Sequence, residues 1–266
     1  MALKLINMIV LQLLVWLPFV FTLSVLVYAC VYDVKERQVS NRVWLFAYPT
    51  GFIITLTLVM FGLLDGVVVL VSVLSAVFLG AGLFWSGYYG GADLKALLFI
   101  ALTTPMIPYT LNPTPHLPLL PLILTVFCNS VLLSLIWPLT IFGLNLKDTL
   151  KGNRLFEEIK LTLPQKIWLL FTARPIPIEK LDGFRYFPSE QIELQGGQPI
   201  RKSLRFVKAE TDLSNHLNTL NAHKGLYKKG VLASPTIPTI VFFTIALAVA
   251  PLGNLFLWLV ALLGFI

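Results

Sequence analysis

Long apolar stretches alternate with short polar ones along most of the chain. The apolar stretches cover approximately residues 9–32, 43–61, 67–85, 94–107, 119–142 and 235–266. A helix needs about 20 such residues to cross a membrane, so the pattern predicts six transmembrane helices. The last stretch is interrupted at Pro251-Leu252-Gly253-Asn254, and we expect one span there, followed by an interfacial tail.

One long segment departs from this pattern. Residues 145–232 contain most of the charged side chains and no apolar run of spanning length. Short alternations of apolar and polar residues, broken by Gly-Gly and Pro, indicate strands and turns. The sequence therefore predicts an all-α polytopic membrane protein with a small α+β cytoplasmic domain. We expect a membrane domain over 1–144, the inserted domain over 145–232, and a last helix with its tail over 233–266.

The composition supports the membrane assignment. Hydrophobic residues make up 57% of the chain and charged residues 12%, whereas a soluble domain is about one quarter charged. In lipid the backbone must satisfy its hydrogen bonds internally, which leaves helices or a closed barrel. The long apolar stretches favour helices.

The net charge of +7 is explained by the membrane rather than by nucleic acid. Apart from Lys4, every Lys and Arg lies in residues 33–42, 86–95 or 145–232, which the predicted topology places on one side. Basic loops lie on the cytoplasmic side, where anionic lipid headgroups attract them. We therefore expect a multi-pass protein of the plasma membrane with lipids, and no nucleic acid, among its partners.

Two acidic residues stand at the edges of apolar stretches. Asp33 ends the first stretch and Asp93 begins the fourth, and an ionisable group at such a place is a functional candidate because its burial is costly. The predicted topology puts both on the cytoplasmic side. Two nearby carboxylates share a proton, so one can activate a water molecule while the other protonates a carbonyl oxygen. The alternative is that Asp33 begins a solvated loop and Asp93 caps a helix.

The neighbouring residues refine this picture. Gly90 and Gly91 precede Asp93 and give the backbone freedom. Asp93 lies near a helix N-terminus and Asp33 near a helix C-terminus, so helix dipoles favour the anion on Asp93 and the proton on Asp33. The two cysteines are isolated within apolar stretches, which offers no zinc ligand set. We expect neither a metal nor a cofactor.

The residues around both acids resemble a known family. Gly90-Gly91-Ala92-Asp93 is similar to the Gly-x-Gly-Asp motif of membrane aspartic proteases, with alanine in place of the second glycine, and Leu94-Lys95 continues the likeness. The stretch from Asp33 to Asn41 is similar to the family's first aspartate region, with Ser40 in place of a proline. The chain thus resembles the archaeal preflagellin peptidases, relatives of the bacterial type IV prepilin peptidases.

This resemblance implies an aspartic endopeptidase with Asp33 and Asp93 as catalytic residues. Its expected substrates are precursors of archaellins or type IV pilin-like proteins, which lose a short basic leader at the cytoplasmic face. The bacterial cysteine-rich loop is missing, which argues against an accompanying methyltransferase activity. The residues expected to shape the site or bind substrate are Gly90, Gly91, Ala92, Lys95 and Asn41.

Three other interpretations use the same sequence differently. Tyr32-Asp33 and the prolines at 235 and 238 resemble features of presenilin-type proteases, although those proteins have more spans. Intramembrane carboxylates also mark proton or ion pathways in transporters. A structural membrane subunit would make no use of the aspartates.

Overall fold

The computed structural model describes residues 2–85, 89–107, 121–153, 155–159, 161–181, 185–195, 198–204, 213–227 and 229–264. The chain divides into a first unit, Met1–Leu133 with Pro238–Ile266, and a second unit, Ser134–Ile237. Parts of two connections between the apolar stretches, residues 86–88 and 108–120, lie outside the described residues.

The described elements are mostly helices. In chain order the helices are α1 (Ala2–Glu36), α2 (Asn41–Met60), α3 (Gly66–Trp85), α4 (Gly91–Thr103), α5 (Leu122–Ser134), α6 (Ile136–Leu150), α7 (Leu163–Thr172), α8 (Leu213–Ala222), α9 (Thr239–Val249) and α10 (Leu255–Leu262). The strands are β1 (Arg174–Ile176), β2 (Tyr186–Pro188), β3 (Glu190–Gln195), β4 (Gln198–Ser203) and β5 (Val231–Pro235).

The candidate membrane spans are fewer than the six predicted. Within the described ranges, four helical segments are long and apolar enough to cross a membrane: Gln12–Glu36, Asn41–Met60, Gly66–Trp85 and Leu122–Leu150. A fifth results if Thr239–Leu252 and Leu255–Leu262, bent by 65°, form one span. The predicted fourth span corresponds to α4, which has only 13 residues. A mostly helical multi-pass protein is therefore confirmed, and the count of six is not.

Helix α4 lies at the centre of the first unit. Its residues Ala96, Leu97, Phe99 and Ile100 are fully buried, and α1, α2, α3 and α9 all contact it. A short helix is stable there because its neighbours, rather than lipid, cover its sides.

Glycines bring two of these neighbours close to α4. A Cβ atom added at Gly51 of α2 would collide with Thr103, and one added at Gly80 of α3 would collide with Leu94. Small residues at a helix interface let backbones approach in this way. A Cβ at Gly82, two residues further along α3, would meet nothing within 4 Å.

Buried hydroxyl groups fasten the C-terminal end of α4. Thr22 Oγ1 on α1 is hydrogen-bonded to Thr103 Oγ1 at 2.6 Å and to Thr104 Oγ1 at 2.8 Å. Thr55 Oγ1 on α2 donates to the Leu102 carbonyl oxygen at 3.1 Å. Interhelical hydrogen bonds of this kind stabilise helix packing in membranes. They set the position of α4 along its neighbours, and hence the position of Asp93 at its other end.

The interruption in the last apolar stretch is held by one amide side chain. Asn129 Nδ2 on α5 donates to the Gly253 carbonyl oxygen at 3.1 Å, and its Oδ1 accepts from Leu255 N–H at 2.7 Å. Gly253 has φ +123°, a conformation that glycine adopts easily. The predicted interruption is thus a built turn whose exposed backbone groups are paired.

The second unit contains the small sheet region. Strand β5 lies between β1 and β2 in an antiparallel three-stranded sheet, and β3 pairs with β4 as an antiparallel hairpin. Helix α7 packs on α6, where Asn145 Nδ2 donates to the carbonyl oxygens of Leu170 and Ala173. Helices and short strands together form an α+β arrangement.

A buried ion pair organises the hairpin. The guanidinium of Arg201 on β4 donates to both carboxylate oxygens of Glu190 on β3, each at 2.8 Å. Arg201 also binds Glu158 and lies 4.5 Å from the ring centroid of Tyr227. Because a buried charge is tolerated only when it is paired, this network specifies how the hairpin folds against its surroundings.

Candidate active site

Asp33 lies in the last turn of α1, which continues to Glu36. The sequence pattern predicts that the polar loop begins at Asp33, and this boundary is wrong because the helix continues for three more residues. The Ile240 N–H, in the first turn of α9, donates a hydrogen bond to the Asp33 carboxylate. The Oδ2 atom of Asp33 is buried and has no hydrogen-bond partner.

Asp93 occupies the first turn of α4. Its Oδ2 accepts a hydrogen bond from the Gly90 N–H at 3.0 Å. Gly90 is the N-cap residue, so Asp93 reaches back to the cap instead of being the cap. This geometry satisfies a free backbone donor, and it also holds the carboxylate at the helix end.

The structure brings the two acids into one neighbourhood. Helix α1 packs against α4, and the charge of Asp33 acts on Asp93. Asp93 lies in the first turn of its own helix, α4, whereas Asp33 on α1 lies beside the N-terminus of another helix, α9. Both carboxylates therefore face the positive end of a helix dipole, so the dipole argument that gave the proton to Asp33 no longer separates them.

Lys95 and Asn41 are also brought together. Lys95 Nζ donates to Asn41 Oδ1 at 2.6 Å, and the Tyr48 hydroxyl donates to the Lys95 carbonyl oxygen at 2.7 Å. These bonds connect the first turn of α4 to the beginning and middle of α2. The segment carrying Asp93 is thus held laterally as well as by its buried C-terminal end.

The three small residues before Asp93 have different surroundings. Gly90 has φ −83°, and Gly91 is the first residue of α4, so neither uses the left-handed backbone region. The conformation described here does not require the freedom that the two glycines give the backbone. A Cβ at Gly91 would meet nothing within 4 Å, whereas Ala92 packs partly against the core. Gly91 therefore leaves open space beside the acids.

Sequence reasoning missed two contributors to this site. The Ile240 N–H is a backbone donor, and the residue type does not reveal such a donor. The one signal in the sequence is Pro238, the N-cap of α9, which marks where that helix starts. The Tyr48 hydroxyl lies within an apolar stretch, where a tyrosine is read as part of the core. Neither becomes a site group until the helices are packed.

The arrangement suits acid–base chemistry on a water molecule. Two interacting carboxylates hold one proton between them, and this combination supplies a general base and a general acid together. Within the ranges that the structure describes, no group of three or more His, Cys, Asp or Glu side chains is placed to bind a metal ion.

Comparison with known proteins gives one positive finding. Residues 20–139 match the sequence profile of the type IV leader peptidase family, and this range contains both aspartates and the five other predicted site residues. No curated protein matches the chain significantly. The family match confirms the resemblance seen in the two aspartate motifs. The match over residues 20–139 supports a place for this chain among the type IV leader peptidases, and with it a leader peptidase activity in general.

Proposed function

We propose that this peptidase is an aspartic endopeptidase whose catalytic residues are Asp33 and Asp93. The observation that carries the proposal is the packing of α1 on α4, which leaves the two carboxylates close enough to interact electrostatically. The backbone N–H groups of Gly90 and Ile240 donate to these carboxylates. In the described part of the first unit, no other two acids lie one in each of the two motifs that resemble the family's aspartate regions.

The proposed reaction needs only these two acids and one water molecule. One aspartate, ionised, takes a proton from the water as its oxygen attacks the scissile carbonyl carbon. The other aspartate gives its proton to the carbonyl oxygen. The resulting gem-diol collapses: the first aspartate gives its proton to the peptide nitrogen, the second takes a proton from a diol hydroxyl, and the carbon–nitrogen bond breaks to give a carboxylic acid and an amine.

The substrates that fit are precursors of archaellins or type IV pilin-like proteins. Such a precursor carries a short basic leader before an apolar helix, so its scissile bond lies at the membrane surface. Asp33 lies in the last turn of a candidate span and Asp93 in the first turn of α4, which suits a scissile bond at the membrane surface. The basic residues near both acids argue that this face is cytoplasmic, in the plasma membrane.

The proposed topology adds one membrane crossing and a cytoplasmic domain. We include α4 as a sixth crossing, since 13 residues span about 20 Å and longer helices surround it. Residues 145–232 then form a cytoplasmic domain inserted before the last membrane segment.

The remaining site residues have supporting roles. Lys95 and Asn41 hold the first turn of α4 against α2. Gly90 orients Asp93 through its N–H. Gly91 and Ala92 have side chains small enough to let an extended substrate backbone pass near the acids. Strand-like pairing would hold the substrate extended there.

The test compares the purified protein with its variants on a precursor archaellin or pilin. Asp33→Asn and Asp93→Asn remove one ionisable group each at nearly constant volume, and each should reduce cleavage by at least about 10²-fold, the contribution of a general acid or base. Asp65→Asn is the matched control. Asp65 Oδ1 accepts from Val67 N–H at the start of α3, and asparagine caps a helix equally well.

The result that contradicts the proposal is equally clear. Cleavage that survives either Asp33→Asn or Asp93→Asn, in protein with an unchanged unfolding temperature, rejects the pair as the catalytic centre. Loss of cleavage in Asp65→Asn as well would show that the assay reports folding.

A further inference from the structure

A groove lies between α1 and α2, and none of the proposed site residues lines it. Its volume is about 680 Å³, within the range of about 300–1,000 Å³ in which proteins bind small molecules. Both of its walls belong to candidate membrane spans, Gln12–Glu36 and Asn41–Met60, and Phe46 at its side is exposed. The groove therefore opens toward the lipid that would surround these helices.

The groove extends across about half of a membrane. It reaches from Phe21 to Tyr32 on α1 and from Arg42 to Thr50 on α2. At 1.5 Å per residue these stretches are about 12–17 Å long, and one leaflet contributes about 15 Å to the hydrocarbon core. Because α1 ends and α2 begins just beyond them, Tyr32 and Arg42 lie at the shallow end. The length matches the acyl chain of a lipid in one leaflet.

The deep part of the groove is suited to an apolar occupant. Phe21 and Val25 of α1 line it together with Phe46 of α2. Two hydroxyl groups also line it, but Ser24 and Thr50 each donate to a carbonyl oxygen of their own helix, at 2.8 and 2.9 Å. Neither hydroxyl keeps a hydrogen to donate to an occupant, so this part of the groove behaves as an apolar surface.

The shallow end is polar and positively charged. Arg42 is the single charged residue among the described ones that line the groove. It is exposed, and its guanidinium forms no ion pair or hydrogen bond with any residue that the structure describes. The hydroxyl groups of Tyr28 and Tyr32 are hydrogen-bonded to each other at 3.1 Å. This bond uses one of their two hydrogens, and the other is free for a phosphate or ester oxygen.

We propose that this groove binds an anionic phospholipid of the surrounding leaflet. The phosphate lies at Arg42, and one acyl chain lies along Phe21, Val25 and Phe46. Basic pockets between transmembrane helices recognise anionic headgroups in the same way.

The size of the groove favours a lipid over a helix of another protein. A helix is about 10–12 Å wide, so over about 16 Å it fills about 1,300–1,800 Å³. This is about twice the volume of the groove or more, whereas a single acyl chain is thin enough to enter it. The proposed lipid site is independent of the aspartic mechanism, and its occupancy can be measured without cleavage.

The test uses the full-length protein in nanodiscs of phosphatidylcholine. A tracer of phosphatidylglycerol carries a photoactivatable group in one acyl chain, and mass spectrometry of peptides locates the label after illumination. The label should appear on residues 21–32 and 42–50. A phosphatidylcholine tracer with the same chain, at the same mole fraction, should label these residues about fivefold less, which is the effect of one basic residue on an anionic lipid.

Matched variants separate the charge of the groove from its shape. Arg42→Gln should reduce labelling by phosphatidylglycerol to the level of phosphatidylcholine, whereas Lys35→Gln, at an exposed cation outside the groove, should leave it unchanged. Ser24→Phe should fill the groove and reduce labelling by both lipids. Val27→Phe, at an exposed position of α1 outside the groove, should not. Thr50→Phe repeats the filling from α2 if Ser24→Phe lowers the unfolding temperature.

Several results overturn the proposal. Equal labelling by the two tracers would mean that the groove is merely covered by bulk lipid, and equal losses in Arg42→Gln and Lys35→Gln would indicate a general effect of charge. Displacement of the label by an added precursor pilin would assign the groove to the apolar helix of that precursor. Loss of the label only when the protein dimerises would assign it to a second copy of the chain.

Discussion

Lys95 Nζ donates a hydrogen bond to Asn41 Oδ1 at 2.6 Å, which joins the first turn of α4 to the first residue of α2. The two residues are far apart in sequence, and each lies a short distance from one of the two aspartate motifs. This bond therefore links the segment that carries Asp93 to the loop that follows Asp33. It has consequences for activity that mutation can measure.

Removal of this link should weaken catalysis modestly. Lys95→Ala leaves α4 fastened by its buried end, so its first turn shifts without unfolding. A partly exposed polar pair is worth about 1 kcal/mol, and we expect cleavage of a precursor to fall by about fivefold. Asn41→Asp should retain the wild-type rate because it keeps an acceptor for Lys95. Arg42→Ala, which removes a neighbouring exposed cation, serves as the control; an equal loss there would indicate a general effect of charge.

Gly91→Ala should separate stability from activity. Space around Gly91 is open, and alanine is a better helix former than glycine by up to about 1 kcal/mol. The unfolding temperature should therefore stay constant or rise. If a substrate backbone must pass close to this residue, cleavage should fall at least about tenfold, measured as kcat/KM. Normal cleavage in this variant would argue that the substrate approaches from another direction.

Gly51→Ala should destabilise the first unit. The added Cβ would collide with Thr103 Cγ2 and lie 3.2 Å from Phe99 Cε2. Thr103 cannot turn away easily because its hydroxyl is bonded to Thr22 and to the Phe99 carbonyl oxygen. Overpacking of this kind costs about 1–3 kcal/mol.

The matched control for Gly51→Ala is Gly82→Ala, where the added methyl group would meet nothing within 4 Å. Thermal unfolding in detergent should show a lower Tm for Gly51→Ala alone. Equal Tm values for the two variants would mean that α2 and α4 are not packed as closely as described.

Arg201→Met should destabilise the second unit strongly. It leaves the Glu190 carboxylate buried without its partner, and breaking a buried ion pair costs about 3–5 kcal/mol. Lys202→Met, one residue along the same strand, breaks only the exposed pair with Glu193 and should cost no more than about 1 kcal/mol. Hydrogen exchange of peptides from β3 and β4 in the full-length protein measures the difference. Similar exchange in both variants would contradict a stabilising role for the buried pair.

The sequence predicted the helices accurately where the transfer of residues into lipid determines their position. Each of the four clear candidate spans overlaps an apolar stretch, since the cost of a polar side chain in lipid is paid residue by residue along the chain. The break at Pro251 to Asn254 was visible for a similar local reason. Asp33 and Asp93 stood out because each interrupts an apolar stretch, and the motif around Asp93 agreed with the family match.

The sequence was less accurate where contacts between distant segments decide. It extended the polar loop back to Asp33, although the last turn of α1 continues to Glu36. It gave no sign that α4 has only 13 residues and is covered by its neighbours. It also assigned dipole effects to α1 and α4 alone, since nothing in the sequence shows that α9 begins beside Asp33.

The sequence by itself determined which segments are apolar enough for a membrane and which two acids are placed at their edges. Only the tertiary structure decided that α4 is central, that Thr22 meets Thr103, and that the Ile240 N–H lies beside Asp33. The physical reason is how far apart in sequence the interacting residues lie. Transfer into lipid depends on each residue and its immediate neighbours, whereas a hydrogen bond or an ion pair depends on partners that only folding brings within a few ångströms.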